Sequence, residues 1–143
     1  MAQMMPDEGL DIVLGQIPKD TVKYTSPLNL ALFTSQTAST VITHAQTIAN
    51  ITETTYTNYA RQSLAAATWG AAAERPTNLG RQTKYPQVTF PTCGTTGATI
   101  NGFYITNNGH TVCLGQANFD DTTAVVLAQN DIIKVTPTWA YLH

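Results

Sequence analysis

The sequence predicts an all-β fold, either an antiparallel β-sandwich or a jelly-roll-like barrel, with a short helix or arm at the N-terminus. Threonine is abundant, with 25 residues among 143, and its β-branched side chain favours strands. The C-terminal half contains short apolar runs separated by Gly, Pro and Asn, which is typical of closely spaced strands. Hydrophobic residues make up 43% of the chain, and a chain of this length can bury a core as one domain.

The first part of the chain differs in pattern from the rest. We predict an N-terminal arm with a short helix at residues 1–20 and a single β-rich domain at residues 21–143. Pro6 and the acids after it are typical of a first helical turn, whereas Gly15 and Pro18 are typical of a helix end. Because so short a helix is unstable alone, its apolar side must dock on its own domain or on a neighbouring protein. For the second case we predict the partner-binding residues Leu10, Val13, Leu14 and Ile17.

The first half of the β-rich domain has weaker strand patterns. Leucines alternate within Leu28–Phe33 and predict a strand. The Thr-rich stretch 34–58 is typical of an extended loop or a sheet edge that can lie along a partner, and it includes two candidate short strands, 41–43 and 48–51. Alanines at residues 65–73 favour a helix by propensity, but we predict a strand from residue 59 to residue 67.

The second half of the domain has clearer strand patterns. Asn107-Asn108-Gly109 predicts a hairpin, because Asn and Gly accept a positive φ. Residues 74–86 are predicted to form a loop, and Trp139 and Tyr141 to lie in a short tail. Apolar runs bounded by Gly and Pro predict the remaining strands at 87–90, 99–106, 111–117, 125–127 and 131–137.

Charge and hydropathy exclude several classes of partner. Charged residues are 11% of the chain and the net charge is −2, whereas average usage is about 25% charged. Without a basic face we expect no nucleic-acid partner, and without an apolar run of about 18 residues we expect no membrane span. The start of the sequence lacks the basic and apolar regions of a signal peptide, so we expect synthesis in a cytoplasm.

The sequence contains few residues that could carry out catalysis. Proton transfer needs His, carboxylates or Lys held close together, and we expect exposed surface positions for His44, His110 and His143. Asp120 and Asp121, considered together with His110, match no metal-ligand spacing. We therefore predict that the protein is not an enzyme and that it binds no cofactor and no metal.

The two cysteines, Cys93 and Cys113, are interpreted as reduced core residues, because a free cysteine behaves as a small hydrophobic side chain. A disulfide between them is the alternative, which a reducing compartment disfavours. The aromatic residues are interpreted as core or subunit contacts.

The order of features from Leu28 to Pro137 resembles that of a group of small virion proteins of tailed bacteriophages, described as capsid decoration (cement) or minor structural proteins. The matching features are the strand Leu28–Phe33 with the Thr-rich run after it, the blocks 51–56 and 59–64, the strands 88–90 and 100–106, a strand toward Gln116-Ala117, and a turn at Asn130-Asp131 before 132–137. Asn130 departs from the pattern, because the group often has Gly there.

The resemblance implies a protein that binds the outside of a phage capsid, with the major capsid protein as its partner, and that stiffens the capsid, often as a homotrimer. Two other functions are kept as alternatives. One is a different virion component, in the tail, collar or fibre base. The other is a carbohydrate-binding β-sandwich, which would need an exposed ring at Trp69, Trp139 or Tyr141.

Overall fold

A computed structural model describes residues 3–4, 27–35, 47–74, 81–119 and 124–141. These parts consist mainly of strands and contain no α-helix, so the predicted all-β class is confirmed at that level. The sheets are small and, over the described ranges, none of them closes into a barrel. The elements are β1 (Gln3–Met4), β2 (Leu28–Phe33), the 3-10 turn η1 (Ile48–Asn50), β3 (Gln62–Leu64), the 3-10 turn η2 (Ala66–Thr68), β4 (Ala73–Glu74), β5 (Arg81–Lys84), β6 (Val88–Thr89), β7 (Ala98–Ile100), β8 (Gly102–Thr106), β9 (Cys113–Asn118), β10 (Val125–Leu127), β11 (Lys134–Val135) and β12 (Thr138–Tyr141).

The largest sheet has the order β1-β9-β8-β2-β3, and all of its pairs are antiparallel. Its inner strand β2, which lies between β8 and β3, buries side chains on both faces. On one face, Leu30 and Leu32 join the main core cluster; on the other, Ala31 and Phe33 join a smaller cluster with Tyr104. Because both faces are covered, the strand is apolar throughout its second half instead of alternating strictly with polar residues.

Three smaller sheets supply the other side of the main core. They have the orders β10-β7, β11-β6 and β12-β5-β4. Their inward residues include Ile100, Leu127 and Val135, which are 5% exposed or less and belong to the same cluster as Leu30. The smaller cluster on the opposite face of the central sheet is covered by Ile48 of η1 and by Ile51, which follows it.

Several predicted elements differ from the structure. The predicted loop at 74–86 contains β5, and the predicted tail forms β12, which pairs with β5 over Thr138–Tyr141. The polar run Arg-Gln-Thr-Lys becomes a strand because a partner distant in sequence supplies its hydrogen bonds. Residues 48–50 form a 3-10 turn and not a strand, and the predicted strand at 131–137 is reduced to Lys134–Val135.

Two predicted strands are shorter than expected or interrupted. The strand expected at 59–67 is reduced to β3, and η2 follows it. The strand expected at 99–106 is interrupted at Asn101, a buried residue whose Nδ2 donates to the Thr34 carbonyl oxygen at 2.7 Å. That side-chain bond ties the break between β7 and β8 to the end of β2.

The predicted hairpin joins β8 and β9, but for a different reason from the one expected. The positive φ, 53°, belongs to His110, not to an Asn or Gly. Asn107 contributes through its side chain, because its Oδ1 accepts hydrogen bonds from the N–H groups of Thr111 (2.8 Å) and Val112 (3.1 Å).

Cys93 and Cys113 are both free and buried, as interpreted for reduced core residues. The predicted helix of the N-terminal arm lies outside the described residues, and of that arm only Gln3–Met4 is described. These two residues form β1, which pairs with Ala117 and Gln116 of β9.

Candidate functional site

The densest group of titratable side chains in the described residues surrounds Glu53. We call this group, Glu53 with Tyr59, Arg61, Tyr104 and His110, the Glu53 cluster. Glu53 lies beside the end of β2, where it forms an isolated bridge with Phe33. The Thr34 N–H donates to the Thr52 carbonyl (2.8 Å) and the Thr54 N–H to the Leu32 carbonyl (3.0 Å), so the backbone around Glu53 is fixed to the sheet.

Tyr59 fills a gap in the hydrogen bonding along β2. The chain leaves the sheet edge after Thr54 and returns at β3, which pairs with Leu28–Leu30. In between, the Leu32 N–H donates to the Tyr59 hydroxyl (3.1 Å), and that hydroxyl donates to Glu53 Oε1 (2.7 Å). The phenol therefore stands where a strand carbonyl would otherwise accept the Leu32 N–H.

Arg61 neutralises the Glu53 carboxylate. It lies just before β3, at the end of the segment that leaves the sheet edge after Thr54. Its Nε lies 2.8 Å from Oε1, and its Nη2 lies 2.7 Å from Oε2. This two-point geometry is the stronger kind of ion pair. The Arg61 side chain is 40% exposed and that of Glu53 is 19% exposed, so solvent weakens the attraction.

His110 enters the cluster from the β8–β9 turn, and its predicted exposed position is wrong. Its side chain is only 21% exposed, with Nε2 at 3.6 Å from Glu53 Oε2. Its ring centroid lies 5.8 Å from that of Tyr104, and its Nδ1 lies 3.5 Å from Thr106 Oγ1. The cluster therefore links the segment between β2 and β3 to the β8–β9 hairpin.

The surroundings of the cluster set its protonation. Burial would raise the pKa of Glu53, but hydrogen bonds from Arg61 and Tyr59 outweigh it and hold this pKa below the ordinary 4.5. Burial lowers the pKa of His110 below 6.5, and the Arg61 charge acts in the same direction. Burial raises the hydroxyl pKa of Tyr59 and of Tyr104. At neutral pH both phenols are thus available as donors to a charged Glu53.

These directions predict that acid destabilises the protein. A lowered native pKa means that the native state favours the deprotonated group, so its contribution is complete above the unfolded pKa and is lost as the pH falls through the native value. Protonation of His110 should therefore lower the urea midpoint as the pH falls below about 6.5. Protonation of Glu53 should lower it further as the pH falls below about 4.5. Urea unfolding followed by far-UV circular dichroism between pH 7.5 and pH 4 would measure this.

Two variants test which residue causes the loss of stability at low pH. His110→Asn keeps a residue that tolerates a positive φ and should flatten the loss between neutral pH and pH 5. Glu53→Gln should flatten the loss at lower pH. If the urea midpoint of His110→Asn falls between neutral pH and pH 5 as steeply as that of the wild type, His110 does not cause this loss of stability.

The clefts that described residues line include the following three. The first, about 590 Å³, borders the Glu53 cluster and is wide open to solvent. The second, about 370 Å³, lies between Phe103 and Lys134. The third, about 170 Å³, is apolar, and we call it the tryptophan cleft; it is lined by Leu28, Trp69, Thr83 and Trp139.

Most residues singled out from the sequence lie elsewhere. The predicted partner-binding residues Leu10, Val13, Leu14 and Ile17 lie outside the described residues, as do His44, His143, Asp120 and Asp121. Trp69 and Trp139 are partly buried and pack against the main core. Within the described ranges, no group of three or more His, Cys, Asp or Glu side chains could hold a metal ion.

The Glu53 cluster was not recognised from the sequence. Glu53 and Arg61 lie in polar, Thr-rich surroundings, where each reads as a solvated surface charge. Their pairing depends on the segment between Thr54 and β3, which leaves the edge of β2 and returns to it. No local residue spacing predicts this path of the chain. The opposite charges of Glu53 and Arg61, with Tyr59 between them, are the only trace in the sequence.

Comparisons with known proteins identify no relative. No protein-family model matches the chain, and neither the curated proteins nor the solved structures contain a match. Across the described residues, no helix has the length and apolar character needed to cross a membrane.

Proposed function

We propose that this protein is a non-enzymatic capsid decoration (cement) protein that binds the outer surface of a phage head and stabilises it by bridging subunits. It acts as a homotrimer on the major capsid protein, on the exterior of the virion, after synthesis in the host cytoplasm. No nucleic acid, membrane or cofactor takes part. The sandwich or jelly-roll-like arrangement of its strands, and partner contacts by Leu10, Val13, Leu14 and Ile17, belong to the same proposal.

The observation that carries the proposal is an uncharged, partly apolar exposed surface on the β7–β10 sheet and the turn after it. Val126 is 71% exposed and Ile132 is 51% exposed. Thr99, which pairs with Val126, is exposed as well, and so are residues 128–130. We call these residues the Val126 surface. Large apolar side chains left exposed in this part of the chain support a protein contact site here.

This part of the chain has few charged residues, and its one acid accepts a hydrogen bond within the turn. Asp131 is the only acid among residues 124–132, and its Oδ2 accepts the Ala128 N–H at 2.8 Å. Asn130 has φ 71°, which Asn tolerates better than most residues, in the position where the phage group often has Gly. The turn is therefore shaped by its own side chains, and the surface that it presents has little charge.

Such a surface suits a cement function. Each subunit would contribute a modest contact, and symmetry would repeat it many times over a capsid. Contacts between uncharged surfaces are weakly screened by salt. The resemblance of residues 28–137 to phage decoration proteins supports the same function.

Sedimentation with capsids tests the proposal. Gene neighbours identify the phage, and its heads, stripped of this protein, are mixed with purified trimer and pelleted. We expect the protein in the pellet at saturation, at both low and high salt. Val126→Asp combined with Ile132→Asp should abolish pelleting, because each change would place a charge in an apolar contact.

Asn108→Asp is the matched control, since it adds a negative charge at an exposed turn position away from the Val126 surface. It should pellet like the wild type. A protein that stays in the supernatant at saturation and is monomeric in solution is not a cement protein. A few copies per particle, instead of hundreds, would point to the tail, collar or fibre base.

A further inference from the structure

An asparagine followed by a glycine is a chemically unstable pair, and the sequence contains two such pairs, Asn101-Gly102 and Asn108-Gly109. The backbone nitrogen after the asparagine can attack the side-chain amide. Glycine favours this attack, because it has no Cβ and its backbone adopts many conformations. The local chemistry of the two pairs is the same, so their surroundings in the fold decide which of them reacts.

The first pair is held away from this reaction by hydrogen bonds. Asn101 is buried, and its Nδ2 donates to the Thr34 carbonyl oxygen at 2.7 Å. Its N–H donates to the Phe33 carbonyl (2.9 Å), and its own carbonyl accepts the Phe119 N–H (3.0 Å). For the attack, Cγ of Asn101 would have to rotate toward the Gly102 nitrogen and break these bonds. Buried polar groups are costly to leave unpaired.

The second pair forms the centre of the β8–β9 turn. The His110 N–H donates to the Asn107 carbonyl at 3.0 Å, so Asn108 and Gly109 are the two central residues of a β-turn. Both are exposed. The nearest atom to a Cβ built on Gly109 is 3.7 Å away, so there is open space beside the Gly109 nitrogen. Within the described part of the chain, neither the Asn108 side-chain amide nor the Gly109 N–H has a hydrogen-bond partner.

We propose that Asn108 deamidates spontaneously in the folded protein, whereas Asn101 does not. The Gly109 nitrogen loses its proton and bonds to Cγ of Asn108, and Nδ2 leaves with a proton as ammonia. Water then opens the resulting succinimide ring. Breakage of the bond from the nitrogen to Cγ gives Asp, and breakage of the bond from the nitrogen to the main-chain carbonyl carbon gives isoAsp. The net reaction consumes one water and releases one ammonia.

Either product adds a negative charge to the turn. IsoAsp also lengthens the main chain by a methylene group, at a residue whose carbonyl accepts the Asn29 Nδ2 at 3.1 Å. Because this hydrogen bond ties the hairpin to β2, the isoAsp form should unfold at a lower urea concentration than Asn108→Asp, which has the added charge alone. Equal urea midpoints would contradict this effect on the turn. The inference does not depend on capsid binding.

Mass spectrometry of the full-length protein tests the proposal. Samples are kept at pH 8 in buffer and, in parallel, in urea that unfolds the chain, and both are then digested with pepsin at acid pH. Pepsin cleaves beside aromatic residues, so cleavage at Phe103 or Tyr104 places the two pairs in different peptides. In buffer we expect only the Asn108 peptide to gain the mass difference between an amide and an acid, in two forms that chromatography separates. In urea we expect both peptides to gain it.

Gly109→Ala is the matched variant, because its Cβ hinders the attacking nitrogen but has no neighbour closer than 3.7 Å in the turn. It should lose most of the conversion at Asn108, while Asn101 converts in urea as in the wild type. Conversion of Asn108 at the wild-type rate in this variant would exclude attack by the Gly109 nitrogen. The proposal is also overturned if Asn108 stays intact in buffer while it converts in urea, or if Asn101 converts in buffer as fast as Asn108.

Discussion

Gly102→Ala is expected to destabilise the protein by about 3 kcal/mol, at the upper end of the range for overpacking. Gly102 lies in β8 between Phe33 of β2 and Asn118 of β9. A Cβ at this position would meet the Ala117 carbonyl oxygen and would lie 2.6 Å from Cζ of Phe33. The Phe33 ring is fully buried and the carbonyl is part of the sheet, so neither can move without disrupting the centre of the fold.

Urea unfolding measures this loss as a lower midpoint at unchanged slope. Gly109→Ala is the matched control, because the nearest atom to a Cβ there is 3.7 Å away. The control should unfold close to the wild type. If Gly102→Ala has the midpoint of the wild type, the close approach of the Phe33 ring to β8 is incorrect.

Tyr59→Phe is expected to cost about 2 kcal/mol, because it leaves the Leu32 N–H without an acceptor. Leu32 is fully buried, so water cannot replace the phenol hydroxyl that accepts its N–H at 3.1 Å. The change also removes the 2.7 Å hydrogen bond to Glu53. The pKa of Glu53 should therefore rise toward its ordinary value.

Tyr85→Phe tests whether burial of the donor causes this cost. The Tyr85 hydroxyl also accepts a backbone N–H, that of Ala65 at 3.2 Å, but this bond is exposed. Water can take over there, so the urea midpoint should change little. Equal losses in Tyr59→Phe and Tyr85→Phe would contradict the role of Tyr59 as a replacement for a strand carbonyl.

The sequence predicted those elements whose pattern is local. Leu28–Phe33 and Val125–Leu127 are apolar runs and form strands, and the turn residues at 107–109 placed the hairpin correctly. The cysteines were interpreted correctly because small apolar side chains favour burial in any β fold.

The elements that the sequence missed depend on distant partners. Arg81–Lys84 is polar and reads as a loop, but Thr138–Tyr141 pairs with it and makes it a strand. In the same way, Glu53 and Arg61 read as surface charges until the path of the chain brings them together. Strand preference depends on the neighbours that a residue acquires in the sheet, and those neighbours were not available from local sequence.

The order of the strands along the chain leaves part of the central sheet unpaired early in folding. The second half of β2 is apolar on both faces, and its long partner β8 follows only after residues 34–101. During synthesis β2 can pair early with β3 alone, over Leu28–Leu30, while its second half waits for β8. Such long-range pairing is slow, and an unpaired apolar strand is prone to aggregation. We therefore expect the nascent chain to depend on chaperones until β8 has left the ribosome.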